Sequence, residues 1–136
     1  MELTLGDIRN KYQAFVAISS KRLPIKLSYA ISKNLSALEK EANLIDNNRI
    51  KLAEAYAEKN PDGTPAIDEN KCYVINEVAL PSLNKEIAEY YRTVTSIDIC
   101  KADIKELDKL EDSRYDALSP AEISALDFML EDATEN

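Results

Sequence analysis

The feature that most constrains this chain is a long apolar pattern that begins near Pro24 and continues to about residue 60. Its apolar residues recur at alternating steps of four and three positions, interrupted at Arg49: Ile31, Leu35, Leu38, Ala42, Ile45, Leu52 and Tyr56. This heptad spacing is typical of a helix that packs along one face. Leu27, Leu44 and Ile50 lie beside this seam and widen the apolar stripe beyond that of a two-stranded coiled coil. The pattern predicts one long structural helix over about residues 24–60.

Proline and glycine set the ends of this helix. Pro24 disfavours helical geometry at Leu23 and suits the first turn of a new helix. The segment NPDGTP at residues 60–65 holds two prolines and one of the 2 glycines of the chain. It must therefore end the helix in a tight turn.

Three further helices are predicted from caps and periodicity. Thr4 and Asp7 resemble a capping box, and the helix that follows runs to about Ser20. A helix over about residues 76–92 has four inward residues at helical spacing: Val78, Leu83, Ile87 and Tyr91. The last helix begins with an N-cap, a first-turn proline and a capping acid, and then carries three apolar residues: Ser119, Pro120, Glu122, Ile123, Leu126 and Leu130.

Two short segments alternate in the manner of strands. Residues 65–76 predict a small hairpin, and residues 94–102, with Ile97 and Ile99, predict a strand that could pair with it. The fold class is therefore mostly α (α+β), with about four helices including the long one and a small antiparallel β element. At this length the chain is expected to form a single domain over residues 1–136.

Composition excludes most common catalytic chemistries. The chain has 0 histidines, which removes the usual general base, the usual zinc ligands and the Ser-His and Cys-His nucleophile arrangements. Two glycines cannot build a phosphate-binding loop or a dinucleotide fingerprint. We therefore expect no catalytic residue, cofactor or metal, and a protein that is not an enzyme. Cys72 and Cys100 lie in apolar, strand-like contexts and are expected to be buried free thiols.

Charge is distributed unevenly along the chain. Residues 1–33 hold six lysines and arginines against two acids, whereas residues 103–136 hold three against 11. With a net charge of −8, direct binding to nucleic acid is not expected, and no membrane-spanning or signal segment is visible. The candidate partner-binding residues form a basic patch with one tyrosine: Lys21, Arg22, Lys26, Tyr29 and Lys33. The alternative is that these bases pair internally with the acidic C-terminal segment.

Several blocks of the sequence resemble a family of small, uncharacterised proteins encoded by bacteriophages and prophages of Gram-positive bacteria. These blocks are LTLGDI, LPIKLSYAISKN, ANLIDNNRIKLAEAYAEK, SIDICKADIKEL and LSPAEISALDFMLED. The resemblance implies a phage protein in the bacterial cytoplasm or in the virion. It is compatible with a non-enzymatic protein that binds another protein, including a host or defence factor. The alternative is an accessory or assembly protein of the tail or capsid, for which a homo-oligomer is expected.

Overall fold

The structure, a computed structural model, describes residues 1–132. The α-helices are α1 (Leu5–Ile18), α2 (Ile25–Tyr56), α3 (Leu80–Tyr91) and α4 (Pro120–Leu126). The strands are β1 (Glu2–Thr4), β2 (Val94–Ser96), β3 (Ala102–Asp103) and β4 (Leu130–Glu131). Two 3-10 helices cover Ile104–Glu111 and Asp127–Met129. The mostly α fold class, with one long helix and a small β element, is confirmed.

Helix α2 is the central helix of the core, and its buried face follows the predicted seam. Helix α1 packs across it. The fully buried side chains of these two helices are Ile8, Phe15, Ile18, Leu27, Ile31, Leu38 and Ile45, together with Asn34. Leu126 and Met129, from α4 and the turn after it, close the same cluster. The core therefore joins residues from both ends of the chain.

The predicted caps are present at two helix starts. At α1 the Thr4 hydroxyl accepts a hydrogen bond from the Asp7 N–H at 3.1 Å. At α4 the Ser119 hydroxyl accepts from the Glu122 N–H at 3.2 Å, and the Glu122 carboxylate accepts from the Ser119 N–H at 2.9 Å. The α4 bonds form the reciprocal pair of a capping box, whereas at α1 the described residues show only the bond to the Thr4 hydroxyl. Both caps satisfy N–H groups that a helix start leaves without partners.

The long helix ends at Tyr56, before the predicted limit near residue 60. Ala57 has extended backbone and pairs with Ile75 across an antiparallel bridge. The bridge removes Ala57 and the residues after it from the helix before the proline turn is reached. The helix boundary is thus set by a distant strand partner as well as by the local turn.

Residues 57–79 form a narrow ribbon, which we call the arm. The predicted hairpin over residues 65–76 is present as an antiparallel bridge between Ile67 and Tyr73, and a second bridge joins Lys59 to Pro65. Among residues 57–79, all of which the structure describes, Ala57 alone is buried. The arm is held mainly by backbone hydrogen bonds rather than by a hydrophobic core.

The segment over residues 94–102 does not pair with the hairpin over residues 65–76, as the sequence had suggested it could. β2 pairs antiparallel with β1, placing Leu3 opposite Thr95, whereas β3 pairs parallel with β4. The N-terminal amine also donates to the Ile97 carbonyl at 3.1 Å. The segment after α3 therefore lies against the two chain ends and not against the arm, because the chain ends reach the core and the arm does not.

Two inward assignments are wrong, and both residues lie in poorly covered regions. Val78 was expected on the inner face of the third helix, but that helix begins at Leu80 and Val78 is 87% exposed in the turn before it. Cys72 is exposed in the arm, while Cys100 is partly buried, and both thiols are free. Ile123 on α4 is also exposed.

Across the part of the chain that the structure describes, no helix has the length and apolar content needed to span a membrane.

Candidate functional site

The basic patch divides into two parts, of which the first lies in the bend between α1 and α2. The Lys21 ammonium donates to the Ala117 carbonyl and to the Glu122 carboxylate, both at 2.9 Å. The Arg22 N–H donates to the Asp116 carboxylate at 2.7 Å, and the Arg22 guanidinium lies 3.6 Å from the same group. Lys21 and Arg22 thus tie the bend to the acidic C-terminal segment, as the alternative of internal pairing described.

These contacts perturb the carboxyl groups. Hydrogen bonds from the Ser119 N–H and from Lys21 lower the pKa of Glu122. A hydrogen bond from the Arg22 N–H, assisted by the nearby charges of Arg22 and Lys21, lowers the pKa of Asp116. A carboxylate that accepts such bonds is stabilised in its charged form. Lys21 and Arg22 therefore stabilise the connection between two distant segments, whatever else they bind.

The second part of the patch lies on the exposed surface of α2. Tyr29 is 60% exposed, and the Lys33 ammonium lies 5.6 Å from the centroid of its ring, within reach of a cation–π contact. Lys26 lies about one helical turn before Tyr29. Among residues 1–132 the side chains of Lys26 and Lys33 have no acidic partner within ion-pair distance. Their charge is available to a binding partner.

The exposed part of the patch borders a groove that sequence reasoning did not predict. One wall is α2 over residues 25–37, and the other is the chain over residues 98–106; we call this furrow the α2 groove. Lys26 and Tyr29 line a cavity of about 500 Å³ at one end, and Lys33 lines a cavity of about 380 Å³ at the other. Cys100 lines both. The two cavities therefore lie on either side of Cys100, between the same two segments of chain.

The buried Asn34 fixes the second wall of this groove. Its amide N–H donates to the Cys100 carbonyl at 2.9 Å, and its amide oxygen accepts from the Cys100 N–H at 2.7 Å. This pair of bonds imitates a strand partner for a stretch of chain that has none, since backbone groups near a core must be satisfied. Asn34 is 1% exposed and precedes Leu38 by one helical turn. In the sequence, the available signal for this contact was the polar Asn34 on the otherwise apolar face of α2.

Several charged groups of the second wall are already engaged. The Lys101 ammonium donates to the Phe128 carbonyl at 2.6 Å, and Glu106, which is buried, pairs with Lys109 at 2.8 Å. Asp103 caps the following 3-10 helix by accepting from the Lys105 N–H at 3.0 Å. Asp98 is exposed and has no ion pair within the described chain. Apart from Lys101, this wall presents acidic groups, whereas the α2 wall presents basic ones.

Apolar side chains stand at the rim of the groove. Ile25 is 84% exposed on α2, and Ile104 is exposed at the start of the 3-10 helix opposite. Both are next to charged residues that line the cavity, Lys26 and Asp103. Together with Tyr29 they bring exposed apolar surface to the border of one groove, and apolar patches rimmed by polar residues are a feature of interaction sites.

A separate cavity, of about 400 Å³, lies between the end of α2 and the arm, and is lined by Ile50, Ala53, Ile67 and Tyr73 among others. Its lining includes none of the five candidate partner-binding residues that the sequence predicted. Within residues 1–132 there is also no cluster of three or more cysteine or acidic side chains arranged to hold a metal ion.

Comparison with known proteins adds no further assignment, since no protein-family model, curated protein or solved structure matches this chain.

Proposed function

We propose that this chain is a non-enzymatic protein that works by binding another protein through the α2 groove. The observation that carries the proposal is the combination, along one helix, of exposed apolar side chains with lysines that form no ion pair within residues 1–132. Ile25 and Tyr29 supply the apolar and aromatic contacts that dominate many interfaces, and Lys26 and Lys33 supply a charged rim. The rigid attachment of Cys100 to Asn34 supports the proposal, because a preorganised wall loses little entropy on binding.

The sequence resemblance supports a phage or prophage origin for this binding role. The partner would then be a bacterial host or defence factor met in the cytoplasm. The second candidate role is in virion assembly, as an accessory protein of the tail or capsid.

A photo-cross-linking amino acid at position 29 tests the surface directly. Tyr29 is exposed and lines the cavity at one end of the α2 groove, so irradiation of cells that produce the variant should yield a discrete covalent adduct with a protein. The matched control carries the same group at Val16, which is exposed on α1 away from the groove. Equal yields at both positions, or none at position 29, would contradict the proposal.

Charge reversal tests the role of the rim. Lys26→Glu with Lys33→Glu should weaken partner binding about tenfold, because two attractive contacts become repulsive. Thermal stability should stay close to that of the parent, since neither lysine has an internal ion pair within the described residues. Lys40→Glu with Lys51→Glu, which alters two exposed lysines elsewhere on α2, is the control of equal charge. Arg22 is unsuitable for this experiment because it pairs with Asp116.

A further inference from the structure

The two walls of the α2 groove carry opposite charges near both of its ends, apart from Lys101, whose ammonium is held by the Phe128 carbonyl. At one end Lys26 on α2 shares a cavity with Asp103. At the other end Lys33 shares a cavity with Asp98. Residues 98–106 therefore run antiparallel to residues 25–37, and the groove has a basic edge and an acidic edge. A complementary partner must place acidic groups over the basic edge and basic groups over the acidic edge.

We propose that the partner is a second copy of this chain, bound so that two α2 grooves face each other. A two-fold axis that lies along the groove, in the plane of contact, sets the basic edge of each copy over the acidic edge of the other. Rotation about this axis leaves the position along the groove unchanged. Lys33 of each copy then meets Asp98 of the other, and Lys26 meets Asp103.

Charge also selects the direction of the two helices. In the arrangement described the two α2 helices run parallel. A two-fold axis across the groove would make them antiparallel and would set lysine over lysine and aspartate over aspartate, which is repulsive. The surface therefore matches itself in one of the two symmetric orientations and opposes the other.

The apolar side chains complete the fit. Tyr29 projects from the basic edge and, in the parallel dimer, faces the groove of the second copy near its Ile104. Because the contact is symmetric, each side chain enters the partner's groove once. The 60% exposure of Tyr29 and the 84% exposure of Ile25 are then explained as surface that the second copy covers. This inference rests on the proposed function, since it names a second copy, in place of a host factor, as the protein that binds the same groove.

Complementary charge-swap variants test the inference. Lys33→Glu alone sets two carboxylates against each other at two symmetric places, and Asp98→Lys alone sets two ammonium groups against each other there. Each variant should dimerise about tenfold more weakly than the parent in sedimentation equilibrium. An equimolar mixture of the two variants should regain affinity by forming a mixed dimer. One of its two symmetric contacts joins the two substituted side chains and the other joins the two native ones, so both contacts join opposite charges. The control, Lys40→Glu, should dimerise like the parent, and all variants are compared by circular dichroism.

Three results would overturn the proposed dimer: a parent chain that stays monomeric up to about 1 mM, single variants that dimerise as tightly as the parent, or a mixture that does not regain affinity. The cross-linker at position 29 separates this failure from failure of the proposed function. An adduct of two copies of the 15.3 kDa chain supports the dimer. An adduct with a different protein alone overturns the dimer and leaves the proposed function standing, whereas no adduct contradicts both.

Discussion

The near part of α2, residues 25–45, and its far part, residues 46–56, continue one apolar seam but lie in different surroundings. All buried residues of α2 lie between Leu27 and Ile45. In the far part the seam residues Leu52 and Tyr56 are only partly buried. The seam predicts which face of the helix is apolar. It does not predict how deeply that face is buried.

The difference comes from what covers each part. The near part is covered by α1, by the chain around Ile97 and Ala102, and by Leu126 and Met129. The far part is faced by α3, in which Leu83 is the buried residue, and by the arm. Burial of apolar surface supplies most of the stabilisation of a fold. The far part and the arm should therefore be the less stable region of the molecule.

Native-state hydrogen exchange should show the largest contrast. Amides around Leu38 should exchange only through global unfolding, which costs about 5 kcal/mol or more for a domain. Amides around Ile67 in the arm should exchange through local openings of about 1–3 kcal/mol, because the arm has almost no buried apolar surface. Equal exchange free energies, with the same dependence on denaturant, would remove the distinction between the two regions.

Truncation of matched leucines should give the next largest difference. Leu38 is fully buried, so Leu38→Ala should lower the free energy of unfolding by about 2–5 kcal/mol. Leu52→Ala removes the same atoms from a partly covered seam position and should cost about 1 kcal/mol. Urea denaturation measures both, with exposed Lys40→Ala as the control at about 0.5 kcal/mol or less. Similar costs at the two leucines would mean that the far part is packed as well as the near part.

A matched pair of asparagines compares polar contacts in the two parts. Asn34→Ala leaves both backbone groups of Cys100 without their partner and should cost about 2–4 kcal/mol. Asn48→Ala removes a 3.3 Å bond to the Tyr90 hydroxyl, in a more open site, and should cost about 1 kcal/mol. Chemical denaturation gives both values. The comparison fails if Asn48→Ala proves the more damaging change.

The pH dependence of thermal stability should differ in sign between the two regions. This effect should be smaller than those of the preceding predictions. The folded pKa of Glu122 is lowered, so the stability that this group contributes is present above its ordinary value of 4.5 and is lost as the pH falls through the folded value. The melting temperatures of the parent and of Glu122→Gln should therefore converge in acid.

The far part should respond at the other end of the pH range. The Tyr56 hydroxyl donates to the Glu86 carboxylate at 2.7 Å, and this bond raises the pKa of Tyr56 above its ordinary value of 10.0. The stability that it contributes is present below that value and is lost as the pH rises through the folded pKa. The parent and Tyr56→Phe should therefore converge in alkali. If the melting temperatures of both parent–variant pairs converged at the same end of the pH range, the opposite pH effects assigned to Glu122 and Tyr56 would be wrong.

The proposed binding surface was only half visible in the sequence. Lys26, Tyr29 and Lys33 were predicted to share a helix face, and they do, because residues three, four and seven apart on a helix are neighbours. The opposite wall, with Asp98 and Asp103, lies far away in the chain. No local spacing connects these acids to the lysines, so the groove and its two charged edges could not be predicted.

What the sequence determined by itself is local. The capping bonds at Thr4 and Ser119 and the tight turn after residue 60 span only a few residues, so their chemistry is complete within the stretch that encodes them. The tertiary structure alone decided the partners of β2, the pairing of Lys21 with Glu122, and the insertion of Asn34 beside Cys100. Each of these joins residues that are distant in sequence, and which distant groups meet depends on how the helices pack, because burial is non-directional and many pairings satisfy the same apolar pattern.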